Sequence, residues 1–143
     1  MTNEIYIRQA IPADAAELAR LRTIFDDVLT SPEFVARRLV ACQDVERAYL
    51  AAVAGRMVGF ACLRLIPALF DDAPYAELTE LFVEEAQRRN GIGLALVRHV
   101  EAEARAAGAG TLFLMTGFHN AAAHHFYYRS GYSLRCLTMY KTL

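Results

Sequence analysis

The sequence predicts an α/β fold in which a mixed, mostly antiparallel sheet is flanked by about four helices. Segments with strand-like and helix-like spacing of apolar residues follow one another in the order β-α-α-β-β-β-α-β-α-β. The chain of 143 residues contains no linker or repeat, which indicates one domain over residues 1–143. A strand at 76–83, a helix and a strand at 111–116 form a right-handed crossover that joins parallel strands. We expect this parallel pair in the centre of the sheet.

The first half of the chain predicts a strand, two helices and a hairpin. Ile5-Tyr6-Ile7 has the alternation of a short strand. Helical spacing then gives the first helix an apolar face, which comprises Leu18, Leu21, Phe25 and Val28. A second helix begins with Ser31 as its N-cap, and its buried stripe comprises Val35, Leu39 and Cys42. Residues 48–53 and 57–66 are the strands of a hairpin that turns at Ala54-Gly55-Arg56.

The second half of the chain predicts two helices and three strands. A helix begins at Gly91, directly after the strand at 76–83, and its apolar side comprises Leu96, Val97, Val100 and Ala104. Residues 111–116 form a buried strand. Asn120 caps a last helix that Gly131 ends, and residues 132–143 form a terminal strand.

Composition and charge exclude several classes of protein. The formal net charge is -1 and the pI is about 6.4, so nothing favours a nucleic-acid partner. No apolar run reaches the roughly 18 residues of a membrane span, so no membrane contact is expected. Residues 1–4 lack the start of a secretory signal, which favours a cytoplasmic protein. Three widely spaced cysteines, odd in number, are expected to be reduced core residues: Cys42, Cys62 and Cys136.

The segment Arg88-Arg89-Asn90-Gly91-Ile92-Gly93 is predicted to bind a pyrophosphate. Backbone N–H groups at the start of a helix are unpaired and carry partial positive charge. Glycine lets the main chain approach a ligand, and arginine adds forked donors for phosphate oxygens. A dinucleotide fingerprint is excluded because Leu96 stands where it needs a third glycine. A nucleoside-triphosphate loop is excluded because Leu94-Ala95 replace its lysine and hydroxyl.

Two sequence blocks together resemble one protein family. Arg88-x-x-Gly91-x-Gly93, after Glu77-Leu78-Thr79-Glu80-Leu81-Phe82-Val83, resembles the acetyl-CoA-binding motif of the GNAT-type N-acetyltransferases. Asn120-x-x-Ala123-x-x-Phe126-Tyr127-x-x-x-Gly131-Tyr132 is similar to that family's C-terminal helix signature. The terminal runs 7–10 and 139–143 also fit, so the resemblance covers essentially the whole chain. Asn90 departs from it, since many members carry glycine or a basic residue there.

The resemblance implies a GNAT-like domain that transfers an acetyl group from acetyl-CoA to a primary amine, by direct attack in a ternary complex. Family members splay the two parallel strands apart, and the pantetheine arm pairs with the first of them. This implies backbone contacts to Leu81, Phe82 and Val83, and pyrophosphate contacts to the amides of residues 88–93. A backbone N–H near Leu81 or Phe82 would be the oxyanion donor. The helix signature adds Asn120, Ala123 and Phe126 to the cofactor-binding residues.

Tyr127 is the candidate acid that protonates the departing thiolate. It shares a helix face with Asn120 and Ala123, and a polar amide, a small residue and a phenol on one stripe suit a ligand. A phenol's pKa of about 10 lies near the value of about 8.5 for a thiol, which makes proton donation plausible. The alternative is that Tyr127 only packs against Phe126.

Glu77 and Glu80 are the candidates for taking the proton from the incoming ammonium group, directly or through water. Counted back from Gly91, Glu77 matches the base position of some members of the family, and Glu80 matches a carboxylate that others use for acceptor binding. Regular pleating would send the two carboxylates to opposite faces, so only one should meet the acceptor unless the strand is bulged. Either one could instead be a solvated strand residue.

Several alternatives stay open at this point. No metal site is expected, because the neighbouring His124 and His125 point about 100° apart on a helix. The chain could be a non-catalytic module that binds or senses acyl-CoA, although two carboxylates and Tyr127 favour an enzyme. The amine acceptor, a small molecule or a peptide, cannot be read from the loops at 26–35 and 67–75. Dimers are frequent among the proteins that the chain resembles, so a homodimer is one expected state.

Overall fold

The computed structural model describes residues 4–143. These residues divide into two units, of which the first ends at Phe113 and the second is Leu114–Leu143. The single domain over residues 1–143 stays a prediction. The expected lack of a secretory signal rests partly on residues 1–3, which lie outside the described residues.

The sheet has five strands in the order β1-β2-β3-β4-β5. These strands are β1 (Ile5–Gln9), β2 (Glu46–Val53), β3 (Arg56–Ile66), β4 (Tyr75–Val83) and β5 (Leu112–Leu114). The pairs from β1 to β4 are antiparallel, and β4 and β5 are parallel. The helices of the described residues are α1 (Ala15–Asp26), α2 (Pro32–Ala41), α3 (Ile92–Ala106) and α4 (Ala121–Arg129). The predicted α/β class with a mixed sheet and about four helices is confirmed.

Alternation along β2 shows how the first unit is layered. Leu50 belongs to the core cluster that α1 lines with Leu18 and Leu21. The neighbouring Tyr49 packs its ring against His99 of α3, with 4.8 Å between the ring centroids. Because successive strand residues point to opposite faces, α1 and α3 cover opposite faces of the sheet. Full burial of Leu50 and Tyr49 follows from this layering.

The second unit contains α4, whose two ends form as the sequence predicts. Gly131 adopts a φ of 94° just after the helix. Its N–H donates to the carbonyl of Tyr128 at 3.2 Å, and the N–H of Tyr132 donates to the carbonyl of Tyr127 at 3.0 Å. These two bonds satisfy carbonyls that a helix end would otherwise leave unpaired.

The predicted terminal strand at 132–143 is wrong, because the structure assigns no strand there. Alternation indicates which side chains would be buried, but it cannot supply the neighbouring strand that a ladder requires. The apolar residues of this segment are accordingly exposed, with Leu134 at 85% and Met139 at 91%. The sheet order therefore ends at β5, and the parallel pair lies at the edge of the sheet rather than in its centre.

Smaller corrections concern burial. Cys136 is exposed rather than in the core, because it lies in the same terminal segment, which forms no strand. Val28 is 61% exposed, since α1 ends at Asp26 and the chain turns away at Asp27 with a φ of 54°. Phe25, in the last turn of α1, is 39% exposed although its ring contacts those of Phe60 and Phe82. The strand predicted at 111–116 is reduced to Leu112–Leu114.

Candidate active site

The amino-terminal end of α3 is open to an anion. Gly91 is its N-cap residue with a φ of 79°, and no side chain caps the first turn within the described part of the chain. In contrast, Ser31 caps α2 and Asn120 caps α4 with their own oxygens. The first helical bond of α3 is donated by Ala95 to the carbonyl of Gly91 at 2.9 Å. The amides of residues 92–94 therefore have no partner inside the helix and carry its positive partial charge.

The loop before α3 has an unusual backbone conformation and a side chain that folds back on β4. Arg89 has a φ of 64°, a value rare for residues other than glycine. The side chain of Arg88 folds back, where its Nε donates to the carbonyl of Val83 at 2.9 Å and its guanidinium lies 5.9 Å from the ring centroid of Phe82. Ile92, the first residue of α3, is 2% exposed, so its side chain packs inward and does not extend into the loop.

A buried carboxylate fixes the point where β4 enters this loop. Glu84 is 8% exposed and accepts hydrogen bonds from the guanidinium groups of Arg20 and Arg56, the latter at 3.0 Å. Arg20 also donates to the carbonyl of Met57 at 2.8 Å. These bonds join α1, the start of β3 and the end of β4, so the loop starts from a fixed position. These contacts were not predicted, because no spacing in the sequence links residues so distant in the chain.

The backbone of β4 presents alternate groups to its two sides. The carbonyl of Phe82 points toward β3. It lies so close to Gly59 of that strand that a Cβ atom at Gly59 would be only 2.7 Å from the carbonyl oxygen. The N–H of Glu84 also points to β3, where it donates to a carbonyl at 2.9 Å. Because backbone groups alternate along a strand, those of Leu81 and Val83 face away from β3.

A bulge in β4 brings both predicted carboxylates to one face. In the pairing of β3 with β4, Cys62 lies opposite Glu80 and Arg64 lies opposite Glu77. The two residues of β3 are two positions apart, whereas their partners on β4 are three positions apart. The extra residue on β4 is Thr79. Cys62 and Arg64 share a face of the sheet, and so do Glu77 and Glu80. Regular pleating would have placed the two carboxylates on opposite faces, and the bulge is the condition under which they were expected to share one.

A cavity of about 430 Å³ adjoins this face of the sheet. Residues from α1, α2 and the loop between them form part of its wall, with Leu18, Phe34, Val35, Leu39 and Phe60 among the apolar ones. Its charged residues are Arg22, Asp26, Arg38, Glu46, Arg47 and Glu80. The loop at 26–35 thus contributes to this cavity, whereas the loop at 67–75, which was expected to contribute as well, supplies none of its lining residues.

The two candidate bases differ in their surroundings. Glu80 lines the cavity, and burial raises the pKa of its carboxyl, while the nearby guanidinium of Arg22 opposes that rise. Glu77 is 7% exposed, lies 4.0 Å from the guanidinium of Arg64 and is not among the residues that line the cavity. Glu80 is therefore the carboxylate placed to meet a molecule in the cavity.

Two further cavity residues have chemistry that limits their roles. Burial raises the pKa of the Cys62 thiol well above its usual range, so this sulfur keeps its proton. Glu46 accepts hydrogen bonds from the Thr79 hydroxyl at 2.5 Å and from Arg64 at 3.1 Å. Glu46, Arg22 and the other charged residues that line the cavity, apart from Glu80, were not predicted from the sequence. Of these residues, only Arg22 and Asp26 could have been linked from the sequence, because their i,i+4 spacing on a helix predicts an ion pair.

The remaining predicted residues lie in the second unit. The Oδ1 of Asn120 accepts the N–H of Ala123 at 3.1 Å, which leaves the Nδ2 group of Asn120 as a separate donor. The ring of Tyr127 packs against those of Phe126 and Tyr132, at centroid distances of 5.1 Å and 5.7 Å. Burial raises the pKa of Tyr127 to about 12. The packing that was the alternative to a catalytic role is therefore present, and the phenol keeps its proton.

No helix within residues 4–143 has the length and apolar character needed to cross a membrane. In the same range, no group of three or more histidine, cysteine, aspartate or glutamate side chains is arranged to hold a metal ion.

The chain belongs to the Acetyltransferase (GNAT) family, which matches residues 16–132. It is 30% identical over 130 residues to the IAA acetyltransferase of Azospirillum brasilense, spanning 91% of this chain and 71% of that relative. The solved structure of a candidate acetyltransferase from Agrobacterium tumefaciens has a TM-score of 0.87 at 25% identity, covering 96% of this chain and 99% of the other.

An aminoglycoside N-acetyltransferase solved in complex with CoA has the same fold, with a TM-score of 0.85 at 17% identity. That likeness covers 99% of this chain and 97% of the other. The family resemblance that the two sequence blocks indicated is confirmed.

Proposed function

We propose that this chain transfers the acetyl group of acetyl-CoA to a primary amine of a small molecule or peptide, by direct attack of the amine in a ternary complex. The observation that carries the proposal is the course of β4. Its bulge presents Glu80 to the cavity, and its backbone at Leu81 and Val83 faces away from β3. The strand then leads through a fixed loop to the uncapped start of α3.

The diphosphate of the coenzyme would rest on the amides of residues 89–93. Open space at Gly91 supports this, since a side chain there would meet nothing within 4 Å. The amide of Arg88, which was also expected to contact the diphosphate, instead donates to the carbonyl of Glu85 at 3.2 Å. The guanidinium groups of Arg88 and Arg89 add positive charge at this point. In the second unit, Asn120, Ala123 and Phe126 remain proposed contacts of the coenzyme.

The thioester end of the coenzyme would follow the outer edge of β4. Bound acetyl-CoA supplies an activated carbonyl carbon, to which the amine lone pair adds. Leu81 is the better candidate for the oxyanion donor, because the backbone of Phe82 faces β3. Phe82 would then contribute its buried ring rather than its amide. The backbone groups of Leu81 and the N–H of Val83 are the ones that an extended pantetheine arm could pair with, since the carbonyl of Val83 already accepts a hydrogen bond from Arg88.

Glu80 is the proposed base. An ammonium group with a pKa of about 10.4 must lose a proton before it attacks. A carboxylate accepts that proton more readily when its own pKa is raised, and burial raises the pKa of Glu80. We assign Glu77 a supporting role, because its carboxylate is buried beside Arg64 outside the cavity wall.

The departing thiolate would be stabilised by Tyr127. Because the pKa of this phenol is about 12, its proton is held more tightly than that of a thiol with a pKa of about 8.5. Donation of a hydrogen bond to the sulfur therefore fits better than complete proton transfer. A covalent acetyl-cysteine at Cys62 is disfavoured because its thiol stays protonated, which supports direct attack.

The experiment that tests this proposal measures CoA release from acetyl-CoA across a panel of amines. We expect at least one primary amine to stimulate CoA release, with a matching acetylated product by mass spectrometry. Tight binding of acetyl-CoA without turnover on any amine would instead favour the acyl-CoA-binding module. The cytoplasmic location, the absence of nucleic-acid and membrane partners and the homodimer stay predictions.

A further inference from the structure

The cavity beside Glu80 has balanced charge, and most of that charge is already paired. Of its three acidic side chains, Glu46 is bonded by Thr79 and Arg64. Asp26 lies 2.5 Å from the Nη2 of Arg22. Glu80 has a looser partner, the Nη1 of Arg22, at 3.6 Å. An incoming molecule would therefore meet one loosely held carboxylate, which offers little to a molecule with several positive charges.

Arg22 is the second unusual group in the same wall. Its Nη1 is buried and has no hydrogen-bond partner among the described residues. A buried donor without a partner costs free energy, which a ligand oxygen at that position would recover. Because Asp26 occupies the Nη2, the guanidinium is held with its Nη1 toward Glu80. Arg22 and Glu80 both line the cavity, so a donor that lacks a partner within residues 4–143 lies next to an acceptor for an amine.

We propose, on the basis of the function proposed above, that the acceptor is a small α-amino acid with an apolar side chain. Its amine would lie at Glu80 and its carboxylate at the Nη1 of Arg22. Both groups of an α-amino acid are bonded to one carbon, and this close spacing matches the 3.6 Å between Arg22 and Glu80. An amino acid with its amine at the end of a long chain could not contact both groups in this way.

The rest of the cavity wall selects the side chain of the amino acid. Val35, Leu39 and Phe60 surround the space with apolar surface, which favours burial of an apolar side chain. Arg38 and Arg47 add two further positive charges to the wall. These charges oppose a polycation such as an aminoglycoside or a polyamine.

The test compares acceptors that differ only in the carboxylate. Leucine, methionine and phenylalanine are assayed beside their amides, with spermidine and kanamycin as polycations. We expect kcat/KM for the free acids to exceed that for the amides by at least roughly tenfold, the value of one hydrogen bond to a charged group. Calorimetry with the amino acid and the CoA-loaded protein gives a readout that does not depend on turnover.

Variants at Arg22 identify the group that reads the carboxylate. We expect Arg22→Gln to bring kcat/KM for the free amino acids close to kcat/KM for their amides. The binding affinities of acids and amides should become similar in the same way. Arg22→Lys, which keeps the charge, should restore part of the preference for acids. Arg37→Gln is the matched control, since it removes an arginine that is exposed on α2 and does not line the cavity. A change in this preference that is equal in both glutamine variants would overturn the assignment.

The remaining outcomes separate this inference from the function on which it rests. Equal use of acids and amides, or a preference for amides or polycations, would overturn the amino-acid inference and leave the acetyltransferase standing. A preference for amides would point to peptide amino termini. Binding of acetyl-CoA with no turnover on any of these amines would overturn both.

Discussion

The coenzyme end and the acceptor end of the candidate active site use charge in different ways. At the start of α3, the positive potential comes from main-chain amides that no side chain of the described residues caps. In the cavity, the charge comes from side chains that pair with one another, so that little remains for a ligand. The coenzyme end can therefore bind any diphosphate that reaches it. The acceptor end selects among amines through the few polar atoms that have no partner in the described part of the protein.

This difference separates affinity from specificity. The amino terminus of a helix attracts an anion through its dipole, and the anion can approach the amides only where no side chain stands in the way. One added side chain is therefore enough to block the site. The cavity selects through the positions of two groups, Arg22 and Glu80, and a change there should alter which acceptor reacts. Substitutions at the two ends should therefore affect different measured constants.

The largest effect is expected for Gly91→Asp, which places bulk and negative charge at the mouth of α3. We expect the Kd for acetyl-CoA in calorimetry to rise by more than roughly 100-fold, since both the dipole and the approach of the backbone are lost. Gly55→Asp is a matched control, because Gly55 has a φ of 78° and also meets nothing within 4 Å. A Kd for Gly91→Asp within threefold of the control value would show that the diphosphate binds elsewhere.

The next effect is expected for Glu80→Gln at the acceptor end. We expect kcat/KM to fall by roughly 10²- to 10⁴-fold, the usual contribution of a general base, while the Kd for acetyl-CoA stays within about twofold. Glu77→Gln, on the same face but outside the cavity wall, should lose less activity.

The pH dependence of Glu80→Gln gives a separate readout. Burial raises the pKa of Glu80, and a base acts only when deprotonated, so wild-type kcat/KM should fall as the pH drops through that raised value. The glutamine variant should lack this acidic limb. Persistence of the limb in Glu80→Gln would assign the proton transfer to another group.

The smallest effect is expected for Tyr127→Phe, which asks whether the second unit contributes to the departure of the thiolate. We expect kcat to fall by roughly tenfold with little change in acetyl-CoA affinity, as for the loss of one hydrogen bond in the transition state. Because the pKa of Tyr127 is about 12, the loss should be the same from about pH 6 to about pH 9. Tyr128→Phe, at an exposed neighbour, is the control. A phenylalanine variant with full turnover would leave Tyr127 a packing residue.

The sequence predicted the features that short segments encode by themselves. The glycine motif, the caps Ser31 and Asn120 and the helix stop at Gly131 all lie within a few residues of the backbone groups that they control. The two carboxylates of β4 were also identified, together with the condition, a bulge, under which they share a face.

Features that depend on distant segments could not be predicted. The bond between Glu84 and Arg20 joins residues that are 64 positions apart, and the cavity assembles walls from two helices and the sheet. No local spacing encodes such contacts. The terminal strand failed for the same reason, because its alternation says nothing about which neighbour would complete the ladder.

The most direct test of the central claim is a crystal structure of this chain with bound CoA. The account predicts that the diphosphate oxygens lie within hydrogen-bonding distance, roughly 2.7 to 3.2 Å, of the amides of residues 89–93, with the pantetheine arm along the outer edge at Leu81 and Val83. A diphosphate bound away from the start of α3, or a pantetheine arm that leaves that edge of β4 uncovered, would contradict it.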